Sequence, residues 1–276
     1  MWEALQFGFM QNALMAGVLT SISCGIIGSL IVVNRMVFIS GGIAHAAFGG
    51  IGLAVFLGFA PSLGAALFAV GVSLIMGAIS LKSKHRADTI IGVLWAVGMA
   101  LGIILIDVTP GYHADLMSYL FGSILAVTRM DLWLMSALDG IVVVIVLGLY
   151  KEFVAMSYDE DFAFVVGVPV TPLYFALLGL TALSIVMIIR IVGLILVIAL
   201  LTIPPYIAEK FTHSLRKMMV VSASLGTCFT LIGLIVSYYY NLTSGPAIIM
   251  TAGLAFLTIE VIAVIRGKRY AGPRGQ

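Results

Sequence analysis

Charge is what this 276-residue chain has least of. Asp, Glu, Lys and Arg make up 9% of it against 62% hydrophobic residues, and the mean hydropathy is +1.20. No soluble domain of this size hides so much apolar surface, so the composition specifies an all-α polytopic membrane protein. Apolar segments recur from end to end, leaving no room for a separate soluble domain, and residues 1–276 read as a single transmembrane domain. Cysteine is nearly absent. Cys24 and Cys228 both lie in apolar runs and read as small buried hydrophobes, not as a disulfide or a metal pair. There is no Walker-type phosphate loop, so the chain cannot hydrolyse ATP by itself, and no His-Glu-x-x-His helix. The net charge of +2 says little as a total; the lipid bilayer is the expected environment, and no nucleic-acid partner is expected. No Lys or Arg precedes Arg35, and the first apolar run is too long for a signal-peptide core, so it is expected to be the first span and not a cleaved leader.

Hydropathy places nine spans, at about 9–33, 36–59, 62–81, 88–106, 132–150, 173–189, 192–207, 218–240 and 246–265. Eight or ten remain open, since 192–207 is short and the mixed segment 109–129, with His113, Asp115 and an amphipathic piece at 116–127, could dip into the membrane. Charge placement tests the count. With the N-terminus outside, 12 of the 14 Lys and Arg fall on the inside, leaving only Arg129 and Arg190 outside, and the tail 266–276 becomes cytoplasmic.

The polar groups within the spans are few. The stretch Ser40-Gly-Gly-Ile-Ala-His-Ala-Ala-Phe-Gly-Gly-Ile-Gly52 puts Gly41, His45 and Gly49 on one helical stripe. Small residues let another helix or an ion approach the backbone, and an imidazole at membrane depth marks a polar cavity or a substrate path. The alternative is a histidine satisfied by a neighbouring helix. As a neutral imidazole, His45 suits borderline divalent metals such as zinc, with partners drawn from other spans. Asp139, Glu260 and Asp107 are the remaining intramembrane carboxylates; Glu260 could reach the interface or pair with Arg266, and Asp107 is placed to cap its helix. His45, Asp139 and Glu260 could alternatively form the relay of a self-sufficient cation or proton carrier. Pro204-Pro205 should kink or break the seventh span. The fourteen methionines read mainly as core filler, a few being candidates to line a path for soft ions. On the inner side, 157–168 opens with Asp159, Glu160 and Asp161, carries Phe162 and Val165 on an apolar side, and closes at Gly167. That is the make-up of a short surface helix able to dock into a groove on another protein.

Six segments in order carry a family resemblance: Asn-Arg-Met with Ala-His-Ala at 34–46, Asp88-Thr-Ile-Ile-Gly-Val, Asp115-Leu-Met-Ser-Tyr-Leu-Phe-Gly122, Asp161-Phe-Ala-Phe-Val-Val-Gly-Val168, Val192-Gly-Leu-Ile-Leu-Val with Leu201-Thr-Ile-Pro204, and Ser244-Gly-Pro-Ala-Ile-Ile249. The chain resembles the permease subunits of bacterial and archaeal metal-ion ABC importers, the ZnuB/TroC-like zinc, manganese and iron permeases, over nearly its whole length. The resemblance implies a type II ABC importer-like permease, not itself an enzyme, without a covalently bound cofactor. It implies a homodimer with the path at the subunit interface, two cytoplasmic ATPase subunits and an extracytoplasmic metal-binding protein. It also makes 157–168 the coupling helix that meets the ATPase. The family's gate pairs an aspartate with a histidine four residues later; here the histidine is His45, and Gly41 stands at the aspartate position. Asp139 is the carboxylate that could compensate by depth. By ligand preference the departure favours zinc over manganese.

Overall fold

The computed structural model describes residues 6–82, 86–110, 122 and 124–265, the side chains of residues 190 and 191 excepted. Among these residues are eleven α-helices, a 3-10 turn at Ile124–Ala126 and no strand. Nine helices are long and apolar enough to cross a membrane: α1 (Gly8–Val33), α2 (Val37–Leu57), α3 (Pro61–Lys82), α4 (Ala87–Asp107), α5 (Arg129–Gly148), α8 (Val170–Val192), α9 (Leu194–Phe211), α10 (Leu215–Tyr240) and α11 (Ser244–Ile265). Between α5 and α8 lie the short α6 (Tyr150–Tyr158) and α7 (Glu160–Val165). The nine expected spans are therefore present. His113, Asp115, Lys84, Arg266, most of 116–127 and the tail 266–276 fall outside the described residues.

Local chemistry sets the helix ends. Thr128 and Asp131 form a reciprocal capping box at the start of α5: the Asp131 N–H donates to Thr128 Oγ1 (3.2 Å) and the Thr128 N–H to Asp131 Oδ2 (3.1 Å). Gly58 closes α2 in the left-handed region, at φ +77°. The proline pair does not break the seventh span; α9 runs unbroken through Pro204 and Pro205. Each proline removes one amide donor, freeing the carbonyls of Leu200 and Leu201. The Leu201 carbonyl is pressed against Gly28 of α1, where a Cβ would stand 2.6 Å from its oxygen and 2.8 Å from the Pro205 ring. The close approach of α1 lies on the very turn that the prolines deprive of donors.

Two groups of helices make up the bundle. α2, α3 and α4 form one, and α1, α9, α10 and α11 the other; α8 packs against members of both, and α5 lies along α1. Small residues make the close approaches, as membrane helices require in the absence of a hydrophobic driving force. A Cβ on Gly25 of α1 would lie 2.6 Å from the Ala223 amide nitrogen of α10. α2 is the innermost helix, 78% buried over its apolar window, whereas α4, α5 and α11 are 22%, 28% and 17% buried and present most of their surface outward. One end of the bundle gathers the basic turns. There Asn34 Nδ2 donates to Ser157 Oγ (3.0 Å), and the Arg216 N–H donates to the Tyr150 hydroxyl (3.1 Å). A cavity of about 270 Å3 at this end is lined in part by Arg35, Ser80, Asp88, Glu160 and Tyr174.

Candidate functional site

The seam between α2 and α4 is built from glycine. A Cβ on Gly49 would stand 2.9 Å from the Gly98 carbonyl oxygen, and one on Gly98 2.9 Å from Ala46 Cα. One turn on, a Cβ on Gly52 would overlap the Gly102 backbone. Contacts this close fix the register of the two helices. Gly41 differs although it lies on the same stripe: the residue is buried, yet nothing lies within 4 Å of where its Cβ would be. The two glycines expected together thus have separate settings, Gly49 in the seam and Gly41 beside open space.

His45 stands between them. Its ring stacks on Trp95 of α4 (centroids 4.0 Å apart, planes 16° apart), and its Nδ1 lies 3.3 Å from Met99 Sδ. Trp95 and Met99, four residues apart, occupy one face of α4. Phe38 extends the aromatic wall, 6.2 Å from Trp95. His45, Trp95 and Met99 are each half-buried, accessible at one edge. A helical side chain leans towards the N-terminus of its helix and covers the turn before it. For His45 that turn holds Gly41, so the open space adjoins the face the imidazole covers. A neutral imidazole offers one lone pair there, enough to ligate a cation and too little to hold one alone. Neither Trp95 nor Met99 was expected; their spacing beside the Gly98/Gly102 pair was the available signal.

The carboxylates lie elsewhere. Asp139 of α5 is buried against α1, where Ser23 Oγ donates to Oδ1; Oδ2 has no hydrogen-bond partner among the described residues. Glu260 forms an ion pair with Lys210 of α9, whose Nζ also sits 4.7 Å from the Tyr206 ring centre. Proximity across α9 and α11 decides that pairing, which sequence distance concealed. Asp107 is exposed at the end of α4, where the Thr109 hydroxyl, not the aspartate, supplies a hydrogen bond to the Leu105 carbonyl (2.7 Å). His45, Asp139 and Glu260 are therefore held by three separate helix pairs, and among the described residues no three His, Cys, Asp or Glu side chains lie together.

Outside the spans, α7 carries its own start and stop signals. The Asp159 carboxylate accepts from the Phe162 N–H (2.9 Å), and Glu160 and Asp161 place negative charge on the first turn. At the other end Gly167 takes φ +91°, letting the Val168 N–H reach the Ala163 carbonyl (2.9 Å) and the Gly167 N–H the Phe164 carbonyl (3.1 Å). Ala163 is fully buried, whereas Phe162, Phe164, Val165 and Val166 are 62–82% exposed. A contiguous apolar patch beyond the membrane-spanning segments is the mark of an interaction surface.

The sequence matches the ABC 3 transport family over residues 6–263. It is 52% identical over 257 residues to an uncharacterized membrane protein of Synechocystis, spanning 93% of this chain and 92% of that one. To the manganese transport system membrane protein MntC of Listeria monocytogenes it is 35% identical over 270 residues, spanning 98% of this chain and 96% of that one. Among solved structures it is similar to PsaBC from Streptococcus pneumoniae in complex with Fab, with a TM-score of 0.84 and 32% identity over 93% of each chain.

Proposed function

This chain belongs to the ABC 3 transport family, and we propose that it is the permease subunit of an ATP-driven importer of divalent metal ions. The setting of His45 carries the reading: one half-buried imidazole on the innermost helix, beside open space at Gly41, in a stretch that apart from Ser40 and Phe48 is otherwise glycine, alanine and isoleucine. The Listeria relative is named for manganese transport. Here zinc is favoured, because Gly41 offers no carboxylate beside His45 and hard manganese ions prefer oxygen donors. Two copies of the chain would form the path at their interface, and an extracytoplasmic protein would deliver the ion.

The exposed apolar side of α7, with the acidic start Asp159, Glu160 and Asp161, is the surface on which we place the ATPase. Its closure would push α7 and, through Asn34–Ser157, the turn from which α2 departs. The basic turns gathered at that end support a cytoplasmic placement by the positive-inside rule, which would leave the N-terminus outside and the protein in the cell membrane.

The test is ATPase stimulation and uptake of zinc, manganese and iron by the permease reconstituted with its ATPase and binding protein. Stimulation by zinc, lost in His45→Ala, is the expected result. Gly41→Asp, whose Cβ would have no neighbour within 4 Å, should raise manganese uptake relative to zinc by about tenfold, the scale on which groups around a metal tune affinity. Failure of every metal to stimulate the assembled complex would sink the proposal.

A further inference from the structure

The Met99 sulfur lies 3.3 Å from His45 Nδ1, and nothing about that contact is loose. Trp95, one turn earlier on α4, stacks on the imidazole and limits its rotation. The glycine seam at Gly49 and Gly98 holds α4 at a fixed height against α2. The separation also suits a shared ion. With zinc–nitrogen and zinc–sulfur distances of about 2.0–2.1 and 2.3 Å, donors 3.3 Å apart subtend roughly 100° at the metal, close to a tetrahedral angle. Both side chains are only half-buried, so each leaves part of its surface open to an ion. A thioether is a neutral, polarisable donor that binds soft and borderline cations and gives a hard cation almost nothing. The open space at Gly41 leaves room for the ion to keep a water or meet a further ligand on the same face.

We propose that the Met99 thioether is a metal ligand beside His45, making the transit site a nitrogen–sulfur pair that selects zinc, or a softer cation, against manganese. The assignment rests on the metal-import reading above and adds to it the residue that sets which ion is accepted. In the ion-bound state the proton of the neutral imidazole sits on Nε2, and Nδ1 presents its lone pair to the ion that it shares with the sulfur. When the site is empty Nδ1 can instead carry the proton and donate weakly to sulfur, so one contact serves both conditions.

X-ray absorption at the zinc edge tests this on the permease–ATPase complex in lipid nanodiscs, without the binding protein. Wild type should show a sulfur scatterer at about 2.3 Å together with imidazole nitrogen. Protein grown with selenomethionine, whose fold is unchanged, should show selenium in its place, which separates a methionine ligand from Cys24 or Cys228. Met99→Leu, nearly equal in volume, should lose that scatterer and raise the zinc concentration for half-stimulation at least about tenfold. Manganese stimulation should stay as weak as in wild type. Zinc bound with nitrogen and oxygen neighbours alone, or a sulfur shell that selenomethionine leaves unchanged, overturns the assignment while leaving metal import standing. A complex that binds no zinc and responds to none overturns both.

Discussion

The glycine seam makes a quantitative prediction, because α4 carries its own control. Gly98→Ala would place a Cβ 2.9 Å from Ala46 Cα, 3.1 Å from Ala46 Cβ and 3.3 Å from the Ala46 carbonyl oxygen. Unstrained carbon contacts lie at about 3.5–4.0 Å, so α2 and α4 must part locally by roughly 0.5–1 Å. Overpacking of this kind costs about 1–3 kcal/mol, while alanine for glycine in a helix returns about 0.8–1 kcal/mol. Gly92, six residues earlier on the same helix, has nothing within 4 Å of its Cβ position. Gly92→Ala therefore keeps the propensity gain and carries no packing term. The two variants should differ by about 1–3 kcal/mol, or roughly 2–12 °C in melting temperature at about 2–4 °C per kcal/mol. Thermal unfolding in detergent, followed by size exclusion, measures that difference directly. Gly98→Ala should also dull metal stimulation, since Ala46 adjoins His45 and Gly98 adjoins Met99. Equal melting of the two alanine variants would refute the close seam and the fixed register drawn from it.

Asp139→Asn keeps an acceptor for Ser23 and removes a buried charge, so it should melt at or above wild type. Ser23→Ala, which strips the carboxylate of its donor, should destabilise by about 1–3 kcal/mol, seen in the same unfolding assay. Lys210→Met alone leaves Glu260 without its cation and with only Tyr206 as a partner; adding Glu260→Gln should recover stability, and a double-mutant cycle with no coupling would dismiss the pair. Val165→Asp, at a site 82% exposed, should leave folding intact and cut co-purification of the ATPase at least about tenfold. Undiminished co-purification would move the docking surface elsewhere.

The nine spans were legible because hydropathy and charge placement are summed over twenty residues at a time, and no single contact alters the sum. α7 was legible for another reason: its cap at Asp159 and its stop at Gly167 are local chemistry, written within ten residues. The surroundings of His45 were not. Which residues meet the imidazole depends on the height of α4 against α2, set by backbone contacts at Gly98 and Gly102, and a lone sequence does not say which helix will face which. Pro204 and Pro205 show the opposite error. The local rule forecast a kink or a break; the helix is not broken, and α1, far away in the chain, packs against it at Leu201 and Pro205.

The packing of α1 bears on how the protein is made. Its main partners, α9 and α10, begin at residues 194 and 215, so most of the chain must leave the ribosome before the first helix finds its seat. Meanwhile Thr20, Ser21, Ser23, Gly25 and Gly28, all buried in the finished bundle, face lipid or the insertion machinery. α2, α3 and α4 have no such wait, since each packs on a near neighbour in the chain. Assembly is therefore ordered in time, with the second to fourth helices as an early core and the first helix held in reserve. A ribosome stalled before α10 would leave Gly17, Ser21 and Gly25 without the helix they pack against, while Ser23 and Gly28 already have theirs.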